Sequence, residues 1–284
     1  MLLLVLVLAL LAVAIGAGFL GSLAGLGGGV IITPVLVVFF GIPFGDAVGA
    51  SAVSVLATST TAGAAYVHDH LTDLRIGNFL QVATVPGALI GAAATVFLAR
   101  TSLVPVLLIV LGVVLISTVP GTIAMRHADA FAPIPTSPLS KRLRLRGAYF
   151  DQLNQRVVTY EGKRAKEALG VMFGAGLVAG LFGIGSGVLK VLALDRALRL
   201  PMKVSTATSN FMIGVTATAG VGVLFAGGLI FPMLAAPVAL GTTTGSFLGS
   251  RLLPRMSNRL IRWVFVGILI ALSVEVIIRG ASSL

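Results

Sequence analysis

Long apolar stretches alternate with short polar interruptions along most of this chain. No charged side chain occurs from Met1 to Gly45, and none between Lys203 and Arg251. A bilayer crossing takes about 20 apolar residues, so each of these stretches holds two segments. Taken with the Gly, Pro and charge breaks, the pattern predicts ten helices. They fall near 2–24, 29–41, 46–66, 77–98, 103–125, 167–182, 187–199, 204–226, 230–250 and 260–279. The second and seventh are short enough to be half-helices entering from a Gly break. The first lacks a basic leader region and belongs to a repeat, so it is expected to be a mature helix rather than a signal peptide.

The repeat is direct. Gly16–Val30 reads GAGFLGSLAGLGGGV and Gly174–Val188 reads GAGLVAGLFGIGSGV, with eight of fifteen positions identical at an offset of 158. The same offset pairs Pro43 with Pro201, Ser51 with Ser209, Thr58 with Thr216 and Thr60 with Thr218. A duplicated apolar half with Gly-interrupted helices at matching places points to a secondary transporter and its binding site.

Composition narrows the class. The chain is 57% hydrophobic and 10% charged, more apolar surface than a soluble domain of 284 residues hides. Backbone groups in lipid need internal partners, and the runs are too long and too little alternating for a barrel, so the expected fold is an all-α polytopic membrane protein. There is no cysteine, which excludes disulfides and thiolate chemistry. The net charge of +11 is read as loops facing anionic lipid, not as a nucleic-acid interface.

The polar segment 126–166 separates a first membrane repeat, 1–125, from a second, 167–284. It holds nine of the twenty Lys and Arg residues, so the positive-inside rule makes it cytoplasmic. Prolines 133, 135 and 138 predict an extended start, and Ala148–Tyr160 predicts a small hairpin. With five crossings per half, Arg196, Arg199 and Lys203, and Arg251 through Arg262, fall on the cytoplasmic side. The equivalent turns of the first half carry few basic residues. That distribution favours two five-helix inverted repeats with external termini. Re-entrant short helices would instead leave four crossings per repeat and parallel repeats.

Candidate chemistry gathers at the breaks. GLGGG (25–29) and GIGSG (183–187) each precede an apolar helix, so Gly27, Gly28, Gly29, Gly185, Ser186 and Gly187 present amides and a helix N-terminus suited to an anion. Ser51 and Ser209, with Asn210 beside the latter, are polar groups near helix starts. Lys190 is a cation one turn into the helix after GIGSG, where the first repeat has Ile32, and Asp195 and Asp46 are its candidate partners. The spacings Gly21-x3-Gly25, Gly87-x3-Gly91, Gly176-x3-Gly180 and Gly241-x3-Gly245-x3-Gly249 read as helix packing, and Gly245→Ala is expected to cost only modest stability. HDHLTD (68–73) reads as a solvated turn rather than a metal site. Trp263 and Tyr66 suit an interfacial aromatic belt. His68, His70 and His127 lie outside helix interiors, which leaves no catalytic dyad in the bilayer, and neither an enzyme nor a cofactor is expected.

GLGGGVIITPVL, FGIPFGDAVGASA, GLFGIGSGVLKV and LPMKVSTATSNFMIGVTA together resemble the TauE/SafE family of sulfite exporter-like permeases, across both halves of the chain. The resemblance implies a carrier of small sulfur-containing anions, such as sulfite, thiosulfate or organosulfonates, in a prokaryotic plasma membrane. What carries over is the pair of Gly strings and the Pro–Ser/Asn elements. A small-anion channel and a membrane scaffold are the competing readings.

Overall fold

The computed structural model describes residues 2–24, 27–123, 137–151, 155–252 and 258–283. Its elements are α1 (Leu2–Ala24), α2 (Gly29–Val38), α3 (Phe44–His68), α4 (Leu74–Leu98), α5 (Val104–Ile123), α6 (Pro138–Arg142), β1 (Arg146–Asp151), β2 (Arg156–Glu161), α7 (Ala165–Phe182), α8 (Gly187–Leu192), α9 (Met202–Ala226), α10 (Pro232–Leu252) and α11 (Asn258–Ser282). One π-helical turn, Ala193–Ala197, continues α8. Four of the helices, α3, α4, α7 and α9, are long and apolar enough by themselves to cross a bilayer. The short second and seventh helices are present, as α2 and as α8 with its π turn.

The two halves start their elements alike. Pro43 and Pro201 precede α3 and α9 in the same extended conformation, with φ/ψ of −51°/140° and −55°/141°. Proline fixes φ and needs no amide partner there. Each prolyl carbonyl takes the first helical bond, from Ala47 and Ser205, at 3.0 and 2.9 Å.

Helix neighbours obey one exchange rule. α1 lies against α10 and α4 against α7; α3 also meets α10 as α4 meets α9; α2 meets α11 as α5 meets α8. Swapping the halves turns each pair into its partner, while the α3–α9 and α5–α11 pairs map onto themselves. Small residues set the directions. Gly87 and Gly91 lie against the carbonyls of Phe173 and Leu177, so α4 and α7 run parallel. Gly241, Gly245 and Gly249 lie against those of Leu11, Ile15 and Phe19, so α1 and α10 do too. Ser59 faces Gly214 while Gly63 faces Phe211, so α3 and α9 run antiparallel, and α5 and α11 do the same through Gly112 against Ser273 and Gly280 against Pro105. Lipid tails are as apolar as leucine, so close backbone approach of this kind is what holds membrane helices together.

The connector is an ordered cap where it is described. The stretch 124–136, with Pro133 and Pro135, lies outside the described residues. Pro138 does not continue an extended segment as expected: it opens α6, capped by the Ser137 hydroxyl on the Ser140 amide. Proline at the first helical position loses no bond. β1 and β2 form the expected hairpin, with Tyr149 opposite Val158 and Phe150 opposite Val157. It docks through the Tyr160 hydroxyl, which donates to Asp73 Oδ2 at 3.0 Å. Burial and the Asp73 carboxylate push the Tyr160 phenol above its ordinary range, so it stays protonated and can donate. Asp73 also caps α4 on the Ile76 amide. The amides of Lys163 and Arg164 bond the carbonyls of Leu198 and Ala197, which ties the connector to the π-turn end.

Candidate functional site

Gly27–Gly29 and Gly183–Gly187 are buried beside the α3–α9 pair; Gly25 and Leu26, and with them the Gly21-x3-Gly25 spacing, lie outside the described residues. Gly27 and Gly185 occupy equivalent left-handed positions, with φ of 72° and 69°. A side chain is strained there, which is why glycine recurs. The next residues differ: Gly28 has φ −63°, whereas Ser186 is left-handed at 45°. Ser186 does not cap its helix but donates to the Ala175 carbonyl at 2.5 Å, bracing the turn against α7. Gly29 and Gly187 begin α2 and α8, and neither helix start has a side-chain cap.

Ser51 and Ser209 are fully buried and occupy equivalent places. Ser51 Oγ donates to the carbonyls of Gly29 at 3.2 Å and Gly183 at 2.9 Å. Ser209 Oγ donates to Gly187 at 3.4 Å. Each hydroxyl pins the first residue of the half-helix onto the long helix of its own repeat. Asn210 is fully buried beside Ser209; its amide donates to the Thr206 carbonyl at 3.1 Å, and its Oδ1 has no hydrogen-bond partner.

Lys190 is 0% exposed. Neither Asp195 nor Asp46 receives it. Its Nζ lies 3.0 Å from Thr216 Oγ1, which itself donates to the Met212 carbonyl at 2.6 Å. Asp195, five residues on, sits in the π turn on another face. None of the ion pairs found among the described residues involves Lys190. A cation enclosed in protein costs free energy unless something compensates it, and a single neutral hydroxyl does so only in part.

Thr216 leads to a cavity. It lines, with Ala52, Val55, Gly180, Gly185 and Gly220, a small cavity of ≈ 10 Å³ between α3, α7 and α9, about the room one water needs. The structure therefore brings Gly185, Thr216 and Lys190 together and sets Ser51, Ser186 and Ser209 behind them as braces. The sequence does not single out Thr216 as a site residue; its pairing with Thr58 across the repeat is the signal it carries. Tyr66 is corrected outright. It is 4% exposed, and its hydroxyl donates to the Ser22 carbonyl at 3.3 Å, so it lies inside the bundle and not in an aromatic belt. Trp263 is 58% exposed, as a belt residue would be. His68 and Asp69 form an exposed surface pair at 3.3 Å.

A multi-pass helical membrane protein whose buried polar groups gather at broken helices belongs to the class of membrane transporters. The chain matches the family profile described as Sulfite exporter TauE/SafE over residues 10–276, and it belongs to that family. It is 27% identical over 274 residues, 94% of this chain and 96% of the relative, to the Probable membrane transporter protein YunE of Bacillus subtilis (strain 168). No solved structure matches.

Proposed function

We propose that the protein is a secondary carrier of small sulfur-containing anions across a prokaryotic plasma membrane, working by alternating access. The observation that carries this reading is Lys190, a fully buried amine with one neutral partner beside a cavity. An anion that reaches Thr216 as this cavity widens during transport supplies the missing compensation. Gly27–Gly29 and Gly185–Gly187 frame the site, Thr216 and Lys190 face the anion, and Ser51, Ser186 and Ser209 hold the breaks in shape. The family's sulfite exporter description supports a sulfur oxyanion, and sulfite, thiosulfate and organosulfonates are the candidates. In a thermal-unfolding assay, such a ligand at 100 times its dissociation constant stabilises the protein by about 2.7 kcal/mol. Stabilisation by chloride or sulfate alone would discard the sulfur-anion assignment.

The same reading organises the chain as two inverted five-helix repeats, 1–125 and 167–284, joined by a cytoplasmic connector, 126–166. The antiparallel α3–α9 and α5–α11 pairs, and neighbours that exchange with the halves, support inversion. α1 and α3 both run parallel to α10, through Gly18 beside Thr242 and through Thr242 and Ser246 bonding Ser54 and Thr58, so α2 returns between them. The number of crossings before α5 ends is then odd, whether α2 spans fully or half-way. The chain has no native cysteine, so single reporters are clean. Pro138→Cys and Ser283→Cys label from opposite sides of the membrane; labelling from one side would refute the inverted topology.

A further inference from the structure

The cavity beside Thr216 has a counterpart region related by the repeat, where different residues stand. Ser59 faces Gly214 where α3 and α9 cross. On one side of that crossing lie the cavity residues Ala52, Val55, Gly220 and Leu224. At the offset of 158, Asn210, Ile213, Ala62 and Tyr66 replace them on the other side. Ile213 does reach Gly27, as its position requires: a Cβ on Gly27 would lie 3.5 Å from Val55 and 3.6 Å from Ile213.

Two of these replacements set the ends apart most. Leu224 becomes Tyr66, whose ring is buried with Ala62, Ala207 and Leu71 and whose hydroxyl bonds the Ser22 carbonyl. Ala52 becomes Asn210, fully buried, with its amide nitrogen spent on Thr206 and its Oδ1 unpartnered. An acceptor left without a donor inside a protein is costly, so such a group points to a place where something else can bind. Asn210 also stands on the same helical stripe as Ala217, Gly220 and Leu224, which line the open cavity.

We infer that Asn210, Ser59 and Ala62 form a second, occluded anion half-site on the opposite side of the α3–α9 crossing, and that Tyr66 is the residue that closes it. The ligand donates to Asn210 Oδ1 through a hydrogen it carries, the acid proton of a hydrogen oxyanion or a water of its shell. The anion held by Lys190 and Thr216 moves to Asn210 when Tyr66 leaves the Ser22 carbonyl. This rests on the carrier reading, and the experiment separates the two.

Gly220→Cys and Ala62→Cys occupy equivalent positions. Each is placed alone in the otherwise cysteine-free protein and treated with membrane-impermeant maleimide from either side of sealed vesicles. Gly220→Cys reacts from one side; Ala62→Cys reacts from neither. Adding Tyr66→Ala raises labelling of Ala62→Cys from the side opposite to Gly220→Cys. Tyr66→Phe, which keeps the ring and loses the Ser22 bond, raises it less. Ala62→Cys staying unreactive with both Tyr66 variants, or reacting from the Gly220→Cys side, overturns the half-site. With Tyr66→Ala present beside Ala62→Cys, saturating sulfite slows labelling at both positions, and Asn210→Leu removes that protection at Ala62→Cys alone. If protection at Ala62→Cys survives Asn210→Leu, Asn210 is not a ligand group and the half-site falls. If the sidedness holds and no sulfite, thiosulfate or short sulfonate protects either position, the gated path stands and the sulfur-anion reading fails.

Discussion

Gly245→Ala destabilises the folded protein by about 3 kcal/mol, at the upper end of what overpacking costs. A Cβ at Gly245 would lie 2.0 Å from the Ile15 carbonyl oxygen and 2.8 Å from the Phe19 amide nitrogen, both backbone atoms of α1. Neither moves by changing a rotamer, so α1 and α10 must part along their contact. The sequence-based expectation of a modest cost is therefore too small. Alanine's better helix propensity, about 1 kcal/mol over glycine, offsets the clash only in part. Gly267→Ala is the control: that glycine lies inside α11, exposed, with nothing within 4 Å of an added Cβ. Thermal unfolding of purified protein in detergent distinguishes them. Gly267→Ala is unchanged or slightly more stable and Gly245→Ala much less so; equal behaviour would mean that α1 and α10 do not meet this closely.

Lys190→Gln lowers affinity for the transported anion by one or more orders of magnitude and leaves the amount of folded protein unchanged. Unit charges about 4 Å apart interact by about 4 kcal/mol at an effective dielectric of 20, enough to dominate selectivity. Stability does not fall, because the substitution removes a charge whose partner is one neutral hydroxyl, at 3.0 Å. Lys190→Arg is intermediate: the charge remains, but a planar, bulkier head does not reproduce the ammonium position beside Thr216. Anion titration of the purified variants, by calorimetry or thermal shift, reads the effect directly. Unchanged affinity in Lys190→Gln removes Lys190 from the site.

Much of the architecture is legible in the residues alone. Hydropathy marks the helices, proline marks the starts of α3 and α9, and the offset of 158 announces the duplicated halves. These signals are local or periodic, and membrane burial forces each segment to satisfy its own backbone, so they survive without knowledge of any neighbour. Lys190 stands out for the same reason, as a charge where the apolar pattern permits none. Its partner does not. Thr216 lies 26 residues away and was chosen by the way α9 crosses the second break, while Asp195, nearer in sequence, points elsewhere.

Ser51 and Ser209 show the same division. Their pairing across the repeat is written in the chain, but only the fold decides that both hydroxyls go to the first carbonyls of the half-helices. Tyr66 and Gly245 mark the limit most clearly. Lipid and helix neighbours are equally apolar, so hydropathy cannot tell a residue that faces the bilayer from one that faces another helix. The sequence by itself determined the helices, their breaks, the repeat and the isolated cation. The tertiary structure decided which faces meet, because those contacts join residues more than a hundred positions apart and depend on backbone distances that no local pattern encodes.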